Sequence, residues 1–481
     1  MLRLRFRVAA IAVIAFVSVL AAPSASRAGG PGVWTKLATI DNTFDTVGLL
    51  RTSNGNLHLV YLEKKLSTGK FNYGTVTLSL AGKVLSTGTT FSPAWDSLDT
   101  SPQLVKNGSG ARLVFTGATG SKGCFAAGHV FTATSPDGST WTLAKNTSLS
   151  LQSAGVASPA ATTKKDGTTP VATFAGGLHF HMGLDTCPAS NPDGTIHPVA
   201  SGTPGNPAIA TDRKDGSVWV AWWQAFNKQG DWVNQILPSE LAPKEAPGSD
   251  DSSPKQGNQP NQPVALAARA GGGMYLAYCV ATSSTACAHI DLWKVGTSTP
   301  RVVPDSSTGN AKHVALAAGL QGRLTVLWYD SGQNLIHAVR TNTTATGFGV
   351  DRTIQPPTSV LGFDDLQAEG TFGRLDVVAV IQSTASGLPV QIWQTQILAG
   401  LKLAANPSKF SHTTATTVTF TVTDAGDPVA GVTVSCIGKT GKTGSNGTVK
   451  LTFPKGTATG KHVCTAAKTG YNVGKTTITV T

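Results

Sequence analysis

Residues 322–340 read Gly322-Arg323-Leu324-Thr325-Val326-Leu327-Trp328-Tyr329-Asp330-Ser331-Gly332-Gln333-Asn334-Leu335-Ile336-His337-Ala338-Val339-Arg340. A glycine turn opens the stretch. The apolar run Leu324–Trp328 ends on an aromatic residue, and a second run, Leu335–Val339, follows a polar turn. Alternating β-branched and aromatic residues are strand chemistry, and Gly with small polar residues marks the turns between strands. The pattern recurs along the chain. Turn glycines are expected at Gly55, Gly110, Gly167, Gly216, Gly273, Gly322 and Gly373, spaced by 55, 57, 49, 57, 49 and 51 residues. After them come Leu57–Tyr61, Leu113–Phe115, Val171–Phe174, Val218–Trp222, Tyr275–Tyr278, Leu324–Trp328 and Leu375–Val380. Third strands are read at His129–Ala133, His289–Trp293, Leu335–Val339 and Val390–Thr395. No long window keeps a 3.6-residue apolar stripe, and the 53 Gly and 26 Pro work against helices.

Repeats of about 40–50 residues holding about four strands each predict a β-propeller, in which radial sheets cover one another's faces. The expected fold is therefore all-β. Residues 29–400 are read as a propeller of seven blades (six being the alternative count), and residues 401–481 as a small β-sandwich. The seventh unit runs straight into the C-terminal region and lacks a fourth strand. Val33–Ile40 is predicted to pair onto it, closing the ring and covering an open backbone edge. Residues 238–262 are rich in Pro, Ser and Gln and read as a long surface loop.

Residues 1–28 have the layout of a secretory leader. Arg3, Arg5 and Arg7 precede a 15-residue apolar run from Val8 to Ala22, and Ser26-Arg27-Ala28 offers a cleavage point. That run is short for a membrane span, which needs about 20 apolar residues, so an extracellular or cell-surface protein without a membrane span is expected. The formal charge of +12 divides unevenly. The leader holds four arginines, and residues 401–481 hold nine lysines against Asp424 and Asp427, which leaves about +1 for residues 29–400. An even cysteine count in an exported chain reads as disulfides. Cys279 and Cys287 are placed to clip a hairpin, Cys436 and Cys464 share the C-terminal region, and Cys124 and Cys187 remain to link neighbouring repeats. No Cys-x-x-Cys occurs, so no structural zinc is expected.

Ser135-Pro136-Asp137-Gly138-Ser139-Thr140-Trp141 resembles the Asp box of the sialidase-like propeller superfamily, Ser-x-Asp-x-Gly-x-Thr-Trp, one residue shorter and in a single copy. Tyr329-Asp330 with Leu335-Ile336-His337-Ala338 also looks like a blade of that superfamily. The resemblance implies a structural hairpin in which the Asp caps backbone amides and the Trp packs between strands, remote from any active centre. Gly426-Asp427-Pro428-Val429-Ala430-Gly431-Val432-Thr433-Val434 and Thr443-Gly444-Ser445-Asn446-Gly447 resemble bacterial Ig-like domains of the invasin type, which implies a spacer or adhesive module.

The inner strand of each unit precedes the Gly turn, so the opposite face carries the starts of the inner strands and the loops after the aromatic strands. Candidate ligand-binding residues on that face are Asp45, Asp99, Asn206, Asn261, His313, Asp364 and Asp365, with Glu63, Asp330, Gln224 and Gln382 from the loops and Trp222 nearby. Asp or Asn before a strand is equally a turn residue. The superfamily's sialidases use three arginines, a Tyr–Glu pair, an Asp acid and a Phe/Tyr-Arg-Ile-Pro motif. That motif is missing, and Arg51, Arg112, Arg213, Arg269, Arg323 and Arg374 all stand beside the Gly turns. Sialidase activity is therefore not expected. The sequence reading is a secreted or surface-bound, non-catalytic monomer that binds an extracellular glycan or protein, with no cofactor and no metal. Its basic C-terminal region suits cell-wall association, but without interleaved aromatics it does not suit specific nucleic-acid binding. The alternative is a secreted glycoside hydrolase, whose paired carboxylates would be set by distance in space.

Overall fold

The computed structural model describes residues 31–40, 46–63, 66–120, 130–144, 147–148, 159–173, 179–186, 194–195, 203–225, 230–249, 264–283, 286–357, 360–383 and 389–481. Residues 1–28, Asp45, Cys124, Cys187 and Asn261 lie outside them, as do residues 250–262 of the 238–262 stretch. Asn206 lies in a strand, but its side chain is outside the description.

The repeat unit is a sheet of antiparallel strands laid side by side in chain order. In the stretch quoted above, Leu324–Asp330 pairs on one side with Ala311–Ala318 and on the other with Leu335–Arg340, to which Arg352–Ile354 adds an outer strand. The inner strands of seven such sheets are Gly48–Arg51, Gln103–Asn107, Ala160–Thr163, Thr203–Thr211, Ala265–Ala268, Ala311–Ala318 and Val360–Glu369. Each lies beside the next, and the last lies beside the first. The result is a propeller-like ring of all-β structure.

Burial shows why the sheets stack radially. Leu324, Val326 and Trp328 point to one side, where they join Tyr275, Ala277, Ile290 and Leu292 of the fifth sheet. Leu327 and Tyr329 point to the other, where they join Phe363, Val377, Ala379 and Ile381 of the seventh. A strand buried on both faces has to be apolar at odd and even positions alike. The same division repeats around the ring: first with second sheet, second with third, third with fourth, fourth with fifth, and seventh with first.

Ring closure follows the predicted course. Thr35–Ile40 pairs antiparallel with Val390–Ile397, the outer edge of the seventh sheet, from Thr35 opposite Gln394 to Ile40 opposite Val390. Ile40 is fully buried with Val47, Leu57, Val380 and Val390, so the strand contributes side chains as well as backbone hydrogen bonds.

The second unit corrects one sequence expectation. Its turn glycine is Gly108, at φ +62°, whereas Gly110 already begins the strand Gly110–Ala118. A Cβ at Gly110 would stand 2.4 Å from the Ser135 carbonyl oxygen, so this glycine serves close packing. Gly138 is similar: a Cβ there would fall 1.9 Å from His58 Nδ1, where the second sheet's loop lies on a histidine ring of the first. Asp137 Oδ1 accepts the amides of Ser139 and Thr140 at 2.8 and 3.0 Å, and Trp141 packs against the core shared by the first two sheets.

Residues from Leu401 onward form two sheets around a separate core that includes Val418, Phe420, Val434, Phe453 and Ile478, with Cys436 paired to Cys464 inside it. Cys279 is paired with Cys287 across its hairpin. The C-terminal sheets meet the ring at a polar seam. Arg323 contacts Asp427 at 2.7 Å and Asp424 at 3.5 Å, Arg340 contacts Asp424 at 3.4 Å, and the Thr343 amide donates to Asp427. Among the described residues no helix is long and apolar enough to cross a membrane.

Ile40→Ala is expected to lower the unfolding free energy by about 2–5 kcal/mol, the usual cost of truncating a buried Ile. Removing residues 31–40 should lower it further and promote association through the bared edge of Val390–Ile397. Urea denaturation checks both, and unchanged stability would show that the ring does not rely on this strand.

Candidate functional site

The seven inner strands converge on a central cavity of about 340 Å³. Its wall is built mostly from small and apolar residues, among them Ala160, Ala161, Ala208, Ala265, Ala315 and Ala368. The polar side chains in it are Thr46, Ser101, Gln103, Asp365 and Gln367. Three inner strands slip register near their starts, between Gly205 and Ala208, Lys312 and Ala315, and Phe363 and Asp365. A bulge of this kind adds a residue to one strand and re-aims the side chains beside it, a feature common next to functional sites.

Asp365 sits at one of these bulges and is the only carboxylate lining the cavity among the described residues. Its Oδ2 accepts from the Val47 amide at 3.1 Å and from Gln367 Nε2 at 2.8 Å. Both donors are neutral. Burial therefore dominates and pushes the Asp365 carboxyl up to about 7, against the opposing pull of those hydrogen bonds. Near neutral pH the group is shared between a hydrogen-bond-donating acid and an accepting carboxylate.

None of the other described candidates lines the cavity, although the neighbouring Asp364 adds to the upward push on Asp365. Asp99 is half-buried beside Ser101, whose amide it accepts at 3.3 Å, and burial raises its pKa. Asp364 Oδ1 accepts from Gln382 Nε2 at 2.8 Å. His313 adopts φ +52° at the sixth-sheet bulge and lies 5.9 Å from the Phe363 ring, and burial, followed by Lys312, pushes it down to about 4, so it is neutral at physiological pH. Glu63 is half-buried, with its pKa raised by burial. Tyr61 beside it is pushed up to about 12 by burial and then by Glu63, which leaves the phenol protonated.

Two candidates have roles that remove them from a ligand site. Trp222 is fully buried in the core between the third and fourth sheets, and Trp223 faces the core on the other side. Asp330 is fully buried, and its Oδ1 accepts the amides of Gly332 and Gln333 at 2.8 and 2.9 Å, which forms the turn to Leu335. Strand parity decides the first case and turn chemistry the second. Thr46, Ser101, Gln103 and Gln367 were missed by sequence reasoning. Their signal was their position, on or just before inner strands.

The arginines beside the Gly turns are engaged there. Arg51 pairs with Glu369 at 2.5 Å and with Asp376, and Arg323 holds the C-terminal seam. Arg374 donates to Gln396, and Arg269 to the Thr343 carbonyl. The third-strand histidines His289 and His337 each face an aspartate, Asp291 at 3.5 Å and Asp351 at 2.7 Å. Among the described residues no three His, Cys, Asp or Glu side chains gather closely enough to hold a metal ion.

No family model and no curated protein matches the chain. Solved structures that are similar include a protein of unknown function from Dyadobacter fermentans DSM 18053, with 11% identity over 76% of this chain and 98% of its own, at a TM-score of 0.42. A Hadza microbial sialidase is 11% identical over 73% of this chain and 65% of its own, at 0.44. The six-bladed lectin of Aleuria aurantia is 12% identical over 74% and 93%, at 0.37. Likeness at this level carries no argument about activity, and the ring rests on its own seven inter-sheet cores.

The raised pKa of Asp365 has a sign that can be tested. The folded chain holds a proton that the unfolded chain releases near the ordinary value of 3.8, so this contribution to stability is complete below about pH 4 and is lost as the pH rises through about 7. Asp365→Asn stays neutral. It should therefore gain melting temperature relative to the parent from about pH 5 to pH 8 and show little difference at about pH 4. A constant difference across that range would mean that the proton plays no part.

Proposed function

We propose that this chain is an exported, non-catalytic binding protein whose central cavity and mouth recognise an extracellular glycan or protein. In this reading the seven sheets are seven blades of a propeller, and residues 401–481 are an Ig-like module. Residues 1–28 are the leader removed on export, and the mature protein is a monomer. The two disulfides suit an oxidising compartment.

The observation that carries the binding reading is the chemistry of the cavity wall. Hydroxyls, carboxamides and one carboxyl group stand among alanines, a lining able to hydrogen-bond a neutral, polyhydroxylated group without strong charge. Hydrolysis of a glycoside by the usual route needs two carboxyl groups across one bond, about 5–10 Å apart. Asp365 is the one described carboxyl in the wall, and its neighbour Asp364 is hydrogen-bonded to Gln382. Glycoside hydrolysis stays the second reading because Asp364 acts electrostatically on Asp365 and Asp99 is hydrogen-bonded to Ser101, which lines the cavity.

A glycan array probed with the full-length exported protein should retain a small set of neutral or weakly acidic glycans, and Asp365→Asn or Gln103→Ala should weaken retention by about tenfold, as expected for the loss of one buried polar contact. A panel of chromogenic glycosides is expected to show no turnover. Turnover that vanishes in a D364N/D365N double variant would replace the binding reading with the hydrolase reading.

A further inference from the structure

The charge of the C-terminal sandwich is segregated. Residues 401–481 contain nine lysines and two acids, Asp424 and Asp427. Both acids are turned into the seam with the ring. Asp424 is buried against Arg323 and Arg340, while Asp427 pairs with Arg323 and accepts the Thr343 amide. All nine lysines are exposed. The surface that the module turns to solvent therefore bears lysines with no acidic side chain outside the seam.

Strand register arranges part of this charge on one flat face. In the five-stranded sheet, Cys464 faces Thr476 and Ala466 faces Gly474 on the core side. The opposite parity then points outward. Lys461 stands opposite Thr479, Val463 opposite Thr477, and Thr465 opposite Lys475. The same face continues through Ser435 beside Thr465, and through Thr433 beside Lys442. Val463 is 63% exposed, so no described residue covers the face there. Its content is ammonium groups, small hydroxyls and methyls. At about 3.4 Å per residue and 4.8 Å between strands, the backbone positions of Lys475 and of either Lys461 or Lys442 stand roughly 15 Å apart along the face, and those of Lys461 and Lys442 roughly 22 Å.

We propose that this lysine–threonine face docks an acidic polysaccharide, tethering the protein to an anionic surface while the ring's mouth binds its own ligand. The spread excludes a single small anion bridging all three, because Lys461 and Lys442 lie too far apart for their side chains to meet one. A polymer that repeats its carboxylates or phosphodiesters along a chain could meet several at once. Each contact is weak and screened by salt, and together they gain affinity through effective concentration. Hydroxyl-bearing side chains between the lysines suit a hydroxyl-rich polymer. The three phenylalanines of the core, Phe410, Phe420 and Phe453, are buried, so the face has no aromatic platform of the kind that single-stranded nucleic acid uses.

The test uses the full-length protein and its retention on polygalacturonate, on a glycerol-phosphate polymer and on neutral dextran at low salt. Retention on polygalacturonate, none on dextran, and release by about 0.5 M NaCl are expected, because a Debye length of about 4 Å then screens each lysine–anion contact. The two acidic polymers distinguish carboxylate from phosphodiester recognition. A K442Q/K461Q/K475Q variant should lose about tenfold or more in retention. A K402Q/K450Q control, changed on the opposite sheet, should lose less than about twofold, since the lost contacts lie on one face. Equal losses in both variants, no retention on polygalacturonate, or equally tight retention on the glycerol-phosphate polymer or single-stranded DNA would each overturn the assignment. Melting curves of both variants ensure that the comparison is made on folded protein.

Discussion

The structure depends on having no open sheet edge at its point of closure. A strand edge carries unpaired amide and carbonyl groups, and it pairs with another chain unless something covers it. Here Val390–Ile397 would be such an edge, and Thr35–Ile40 covers it from the far end of the described chain. The pairing also completes the core between the seventh and first sheets, where Ile40 lies with Leu57, Leu59, Val378 and Val380. Around the rest of the ring each sheet borrows one wall from the sheet before it and lends one to the sheet after. None buries both faces alone, which makes closure a condition for the whole ring rather than a local detail.

The same geometry shapes the candidate site. Seven strands that converge on an axis leave little room, and alanine recurs along them, at Ala160, Ala161, Ala208, Ala265, Ala315 and Ala368. Bulges at three of the seven turn the backbone and re-aim the side chains beside them. Asp365 is one of these. Its unusual titration follows from position: a carboxyl brought into the wall of a narrow cavity meets only neutral donors, so burial raises its pKa. The arginines that could have ionised it stand at the other end of the same strands, held by Glu369, Asp376 and the C-terminal seam.

This explains what could be read from sequence. Strand order, the turn glycines and the closing strand were legible because period-2 patterning and glycine at positive φ leave direct marks. The position of the turn glycine in the second unit was not, since both Gly108 and Gly110 fit a turn and only packing against Ser135 separates them. The site was harder for the same reason. Trp222 and Trp223 are adjacent and both apolar, and in a strand buried on both faces neither parity points to solvent. An aspartate such as Asp330 caps a turn, whereas Asp365 lines a cavity, and both follow or precede a strand in the sequence. Two of the predicted cysteine pairs are formed, and the third, Cys124 with Cys187, lies outside the described residues.

Charge shows most directly how folding changes the meaning of composition. A net of +12 suggests a basic protein, although the ring is close to neutral and the excess is divided between residues 1–28 and the C-terminal sheets. Folding then sharpens the division. The sandwich spends its only two carboxylates on Arg323, Arg340 and the Thr343 amide, and these contacts make the seam. Burying a carboxylate is costly unless it is paired, and pairing it inward removes it from the outer field. The contacts that fix the module against the ring are therefore also the ones that leave its outer faces cationic, so attachment and surface charge have a single cause.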